Sequence, residues 1–138
     1  MATLNMQKMR YINLFNRISR VRSMQCFFYN NAIIFTVPRD QVRRAIGDGG
    51  KNIREIQEKL GKKVKVVKVA RDSEEIEEFT KKIVEPAEFK SIEVKQDGIV
   101  ITAGSRERAA TLIGRNKRRL EELNEIMSDN FGKELRIV

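Results

Sequence analysis

The stretch Ala45–Ile56, AIGDGGKNIREI, decides the fold, because it places three glycines in four positions between two segments that otherwise read as helix. On its near side Val42, Ala45 and Ile46 share one helical face, and on its far side Ile53, Ile56 and Leu60 do the same until Gly61 stops the pattern. Working outward, SMQCFFYNNAIIFTVP reads as a hairpin of two β-rich runs turning at Asn30 and Asn31, with Pro38 closing the second run. KKVKVVKVA, after Gly61, alternates Lys with Val and reads as a strand with one wet face. Before the hairpin, Tyr11, Leu14, Phe15, Ile18 and Val21 fall on one face of an amphipathic helix. The order is helix, strand, strand, helix, helix, strand.

The order then recurs. SEEIEEFTKKIV opens a helix with Ser73 as its expected cap and Ile76, Phe79 and Ile83 inward. FKSIEVKQDGIVITAG reads as a hairpin turning at Asp97 and Gly98. Ser105 caps a short helix with Ala109, Leu112 and Ile113, followed by Gly114, a long helix to about Asn130 and a last strand, KELRIV. Asn31 to Gly98, Ile46 to Ile113, Gly47 to Gly114 and Ile53 to Leu120 are all 67 positions apart, whereas Gly61 to Gly132 is 71. The expectation is two copies of one small α+β unit, 1–70 and 71–138, the second with one extra helical turn. The acid-free, Arg-bearing start resembles a transit peptide in composition, but the first copy needs that helix, so it is expected to belong to the fold.

Charge narrows the function. The 138 residues carry a formal net charge of +9, and no acidic residue precedes Asp40. Residues 1–70 hold fifteen Lys and Arg against four Asp and Glu, net +11, while 71–138 hold thirteen against fifteen, net −2. Clustered cations of this kind favour a polyanion partner. With no histidine and one cysteine, Cys26, hydrolytic triads, zinc sites and an internal disulfide are disfavoured. No apolar run is long enough to span a bilayer. A P-loop would need glycine at Ala45 and Ser or Thr at Asn52, and no G-x-G-x-x-G occurs. The acidic stretch Asp72–Glu78 reads as the solvated start of a helix and calls for no metal.

Gly47-Asp48-Gly49-Gly50 has the form G-x-x-G, framed by Ile46 and Ile53, and resembles the loop of the K-homology (KH) RNA-binding domain. The element order resembles the type II form of that family, in tandem. The resemblance implies that the loop clamps the backbone of about four nucleotides of a single strand. Glycines admit close approach of the backbone, and the following helix start offers amide donors. Around it Arg43, Arg44, Lys51 and Arg54 supply charge, Asn52 lies in the same turn, and Ile46, Ile53, Val64 and Val66 would floor an apolar groove. Asp48 is unfavourable beside a phosphate. In the second copy the loop is Gly114-Arg115-Asn116-Lys117, followed by Arg118 and Arg119, so a lysine replaces the closing glycine. There, phosphate contact by side chains and a merely solvated helix end are both open readings.

Such a tandem, over about residues 4–138, resembles the RNA-binding portion of the transcription factor NusA and the short archaeal NusA-like proteins. This implies a cytoplasmic, non-enzymatic protein without cofactor that binds single-stranded nascent RNA to modulate elongation or termination, with RNA polymerase as a further partner and no membrane. Bacterial members also carry a polymerase-binding segment and an S1 domain, absent from these residues, so polymerase contact would use other surfaces. A ribosome-associated or RNA-processing KH protein and a protein scaffold that has lost RNA stay open as alternatives.

Overall fold

The computed structural model describes residues 5–138, which cluster into two compact units, 5–70 and 71–138. The first contains α1 (Met6–Ser19), β1 (Gln25–Tyr29), β2 (Ala32–Val37), α2 (Val42–Ile46), α3 (Lys51–Leu60) and β3 (Lys63–Lys68). The second repeats that order with α4 (Ser73–Val84), β4 (Ser91–Val94), β5 (Gly98–Thr102), α5 (Arg106–Ile113), α6 (Arg118–Phe131) and β6 (Glu134–Ile137). Each sheet has three strands, the middle one antiparallel to the strand before it and parallel to the last. This is the α+β, type II tandem that the sequence predicts.

Local chemistry sets these elements. Asn30 and Asn31 adopt left-handed φ of 50° and 63°, giving the first hairpin a two-residue turn that Asn tolerates. α1 starts where the Asn5 side chain accepts the Lys8 N–H at 2.8 Å. Phe15 stacks on Phe35 with ring centroids 4.4 Å apart. Around that pair Val21, Cys26, Ile33, Val37, Ala45, Ile56 and Val64 form the first unit's core. Tyr11, Ile12 and Ile18 pack against it from α1, and Leu14 is half-buried. α1 is thereby part of the fold.

In the second unit Ile99, Ile101, Leu112, Leu123, Met127 and Leu135 are fully buried. Ser105 caps α5 as expected, accepting the Arg108 N–H at 3.1 Å. Three expectations are corrected. Asp72, not Ser73, caps α4: its extended backbone points Oδ1 at the Glu75 N–H, 2.9 Å away, and Ser73 is already helical. The second hairpin turns at Gln96 and Asp97, with Lys95 N–H bonded to Gly98 O at 2.8 Å. Gly98 is used for space instead, since a Cβ there would meet the Glu134 carbonyl at 3.0 Å. Lys133 Nζ closes that turn by donating to the carbonyls of Lys95 and Gln96, at 2.6 and 2.7 Å.

The third correction concerns the repeat. β2–β3 pairs Ile33 with Val64, and β5–β6 pairs Ile99 with Leu135, so the central strands repeat at 66 positions, not 67. Equating Asn31 with Gly98 matched a turn residue to a strand residue. One residue is inserted between β5 and α5, which restores 67 through the helices and loop. α3 has ten residues and α6 fourteen, which accounts for 71 in the last strand. Among the described residues no helix is long and apolar enough to cross a membrane.

Candidate nucleic-acid interface

Both units turn between their second and third helices through the same backbone path. In the first, Gly47 has φ 82° and ψ 164°, Gly49 φ 62° and Gly50 φ 78°. The Gly47 N–H donates to Arg43 O at 3.0 Å and the Gly50 N–H to Gly47 O at 3.0 Å. In the second, Gly114 has φ 78° and ψ 168°, Asn116 φ 55° and Lys117 φ 59°. Gly114 N–H donates to Ala110 O at 2.9 Å and Lys117 N–H to Gly114 O at 3.1 Å. The second loop therefore keeps the conformation without its closing glycines. Asn is one of the few side chains that visit this region readily, while Lys117 is held there at a cost of about 1 kcal/mol.

The first glycine of each loop is fixed by contact as well as by φ. A Cβ on Gly47 would lie 2.8 Å from Asn52 Cγ, and one on Gly114 would lie 2.6 Å from Arg119 Cγ. Asn52 is thus part of the joint, its amide donating to Arg44 O at 3.2 Å. Arg54, though exposed, folds back over the loop, Nη1 donating to the Gly49 carbonyl. In the second unit the residue at its place is Glu121, and no such brace forms. Arg119, expected to add to the cationic cluster, is only 17% exposed and meets Glu122 at 2.8 Å through Nε.

The charges that face solvent differ between units. Arg43 and Arg44 stand exposed on α2, with Asp48 and Lys51 exposed at the loop. Arg115, Lys117 and Arg118 stand exposed in and after the second loop, where Ala110 and Thr111 replace the α2 arginines. Beside the first loop Ile46, Ile53 and Val66 are half-buried, whereas Val64 is closed into the core and offers no groove floor. Ile113, Leu120 and Ile137 form the matching half-buried set in the second unit, over a buried Leu135. Sequence reasoning named no groove there, although the 67 and 71 offsets point to these residues. Half-exposed aliphatic side chains next to a cationic glycine loop suit bases on one side and phosphates on the other.

A KH domain model matches residues 32–85, from β2 through the loop into α4. Proteins named probable transcription termination protein NusA are similar over longer spans. That of Methanococcus vannielii is 30% identical over 95 residues, covering 69% of this chain and 53% of that protein. That of Methanocaldococcus jannaschii is 29% identical over 100 residues, covering 72% and 53%. That of Halococcus morrhuae is 24% identical over 132 residues, covering 94% and 93%. The chain is similar to the archaeal NusA-like KH proteins. Its match spans about half the length of the two methanogen relatives but nearly all of the halophile one. The crystal structure of APE1850 superposes on this NusA-like chain with a TM-score of 0.66 at 29% identity, covering 98% of this chain and all of that one.

Proposed function

We propose that the chain is a non-enzymatic RNA-binding protein with two KH domains, 1–70 and 71–138, that holds single-stranded RNA during transcription. The observation that carries this is the repeated loop: two turns of the same conformation, each beside exposed cations and a half-buried apolar trio. In the first domain Gly47–Gly50 presents main chain to the phosphates, Arg43, Arg44 and Lys51 supply charge, and Ile46, Ile53 and Val66 support bases. Asn52 and Arg54 act by holding the loop's shape. In the second, Arg115, Lys117 and Arg118 supply side-chain contacts to phosphate around Gly114 and Asn116.

The relatives' names support a role in termination of transcription; RNA polymerase as the protein partner and the cytoplasm as the location belong to the same proposal. Fluorescence anisotropy on a panel of single-stranded RNAs at several salt concentrations tests the reading. Gly50→Asp, which puts a carboxylate at the backbone clamp, is expected to remove most binding while circular dichroism stays native. Lys117→Ala is expected to lower the salt slope by about 0.7, one phosphate contact on a single strand. Wild-type protein that binds nothing on the panel would overturn the proposal and leave a protein scaffold in its place.

A further inference from the structure

α1 ends in a corner whose geometry serves no purpose at the loop. Arg20 caps the helix in the left-handed region, φ 61°, its N–H on Asn16 O at 2.9 Å. Glycine or asparagine ordinarily takes that place, so a Cβ-bearing arginine there is disfavoured by its own backbone. The corner is tied down on both sides. Asn16 Oδ1 accepts the Ser23 N–H at 2.8 Å, and Ser19 Oγ accepts the Val21 N–H at 3.1 Å while donating to Phe15 O at 2.7 Å. Ser23 Oγ donates to Thr36 O at 3.0 Å, and the Met24 N–H donates to the same carbonyl at 2.8 Å.

On this rigid platform Arg17, Arg20 and Arg22 are all exposed, beside a Met24 that is 59% exposed. No carboxylate occurs in residues 5–39, and none of the three arginines has an ion pair among the described residues. The anchor at Thr36 sets the corner beside the end of β2. From there the chain runs through Pro38 into α2, which carries Arg43 and Arg44 and rises only about 7 Å before the loop. Corner, α2 and loop all carry cations and lie in a single unit, the corner tied to the strand that leads into α2.

We propose that the α1 corner is a second backbone-phosphate site, which takes the nucleotides of a single-stranded RNA that extend past those held at Gly47–Gly50. The inference rests on the RNA-binding reading above. Three cations without a local anion favour a ligand that carries one phosphate per residue. The pinned backbone means that little ordering is left to be done on binding. Met24 adds an apolar surface for a base. Cations at corner, α2 and loop alike favour RNA over an acidic protein surface.

The test compares RNAs of about six and about twelve nucleotides by anisotropy, lengths that fill one loop or run beyond it. Arg17→Gln/Arg20→Asn/Arg22→Gln is the probe, with asparagine at 20 because it accepts the left-handed backbone. Expected are about tenfold weaker binding of the longer strand, a salt slope shallower by about 2, and little change on the shorter one. An unchanged affinity for the longer strand, or an equal loss on both lengths, overturns the corner site. Arg22→Gln alone, which leaves the left-handed cap at Arg20 untouched, shows a smaller loss in the same direction. Gly50→Asp in the same assay separates the two readings: if it is silent, the loop clamp itself fails, whereas if it abolishes binding and the corner variants do not, only the corner inference falls.

Discussion

Gly47→Ala and Gly49→Ala differ by one position in the loop and should differ by about 2 kcal/mol in stability. At Gly49 (φ 62°, ψ 19°) the backbone sits in the left-handed well, and a Cβ would have nothing within 4 Å. An alanine there costs about 1–2 kcal/mol for its conformation, reduced by about 0.4–1 kcal/mol because the unfolded chain loses freedom. The net loss is about 0.8 kcal/mol. At Gly47 (φ 82°, ψ 164°) no ordinary residue has a well, which costs about 1–3 kcal/mol. The new Cβ would also lie 2.8 Å from Asn52 Cγ and 3.1 Å from the Asn52 backbone nitrogen. Asn52 must then swing off Arg44 O, giving up a hydrogen bond of about 1 kcal/mol. With the same offset from the unfolded chain, the total is about 2.5 kcal/mol. Urea unfolding of the full chain measures both variants, and a further pair in an Asn52→Ala background should recover about 1 kcal/mol of the Gly47→Ala loss, because the obstructing amide is gone. Equal losses for the two alanines, within about 0.5 kcal/mol, would refute the close-contact argument.

Lys117→Gly should leave stability unchanged or raise it by up to about 1 kcal/mol, since relief of the left-handed lysine is offset by unfolded-state entropy; a thermal melt checks this, and a clear loss would mean the lysine is not strained. Asp72→Ala should cost about 1 kcal/mol and Ser73→Ala less than about 0.5, measured by the same unfolding curves, because only Asp72 caps α4. Burial pushes the Cys26 thiol up to about 12, partly opposed by the charge of Lys8. Between pH 9 and that value the unfolded thiol releases a proton that the folded one keeps, so this group lowers stability by about 1.4 kcal/mol per pH unit. Cys26→Ala should flatten the alkaline limb of a pH–stability profile, and an unaltered limb would count against the burial account.

The elements were legible because their signals are local. Alternation of Lys and Val marks β3, and the 3.6 period with Gly61 and Gly132 behind it marks the ends of α3 and α6. Less legible was whatever depends on a partner far along the chain. Asp97-Gly98 has the composition of a tight turn, yet Gly98 is small for the sake of the Glu134 carbonyl, thirty-six residues later. Asn116 and Lys117 carry no glycine signal, so the persistence of the loop in the second unit is visible only as backbone angles. At the candidate site the residue types were readable, but their engagements were not: Arg54 bends onto Gly49, Arg119 onto Glu122, and Val64 disappears beneath the helices.

The two joints also show which property of the loop has been kept. From Val42 to Arg54 there are four cations and one carboxylate; from Ala109 to Glu121 there are again four and one. The positions are not the same. Asp48 is replaced by Arg115, Arg54 by Glu121, and the arginines of α2 by alanine and threonine, with lysine and arginine moved into and behind the turn. A joint that served only to reverse the chain would be free to drift with its surroundings, and the surroundings differ, since the first half carries +11 and the second −2. Holding exposed Arg115, Lys117 and Arg118 together inside a net-acidic unit stores self-repulsion that a bound polyanion relieves. Because a phosphate backbone responds to summed charge at a given distance more than to which side chain carries it, it tolerates this reshuffling where a bidentate carboxylate partner would not. The retained total, carried on a retained backbone path, therefore favours a nucleic-acid strand over a protein surface at both loops.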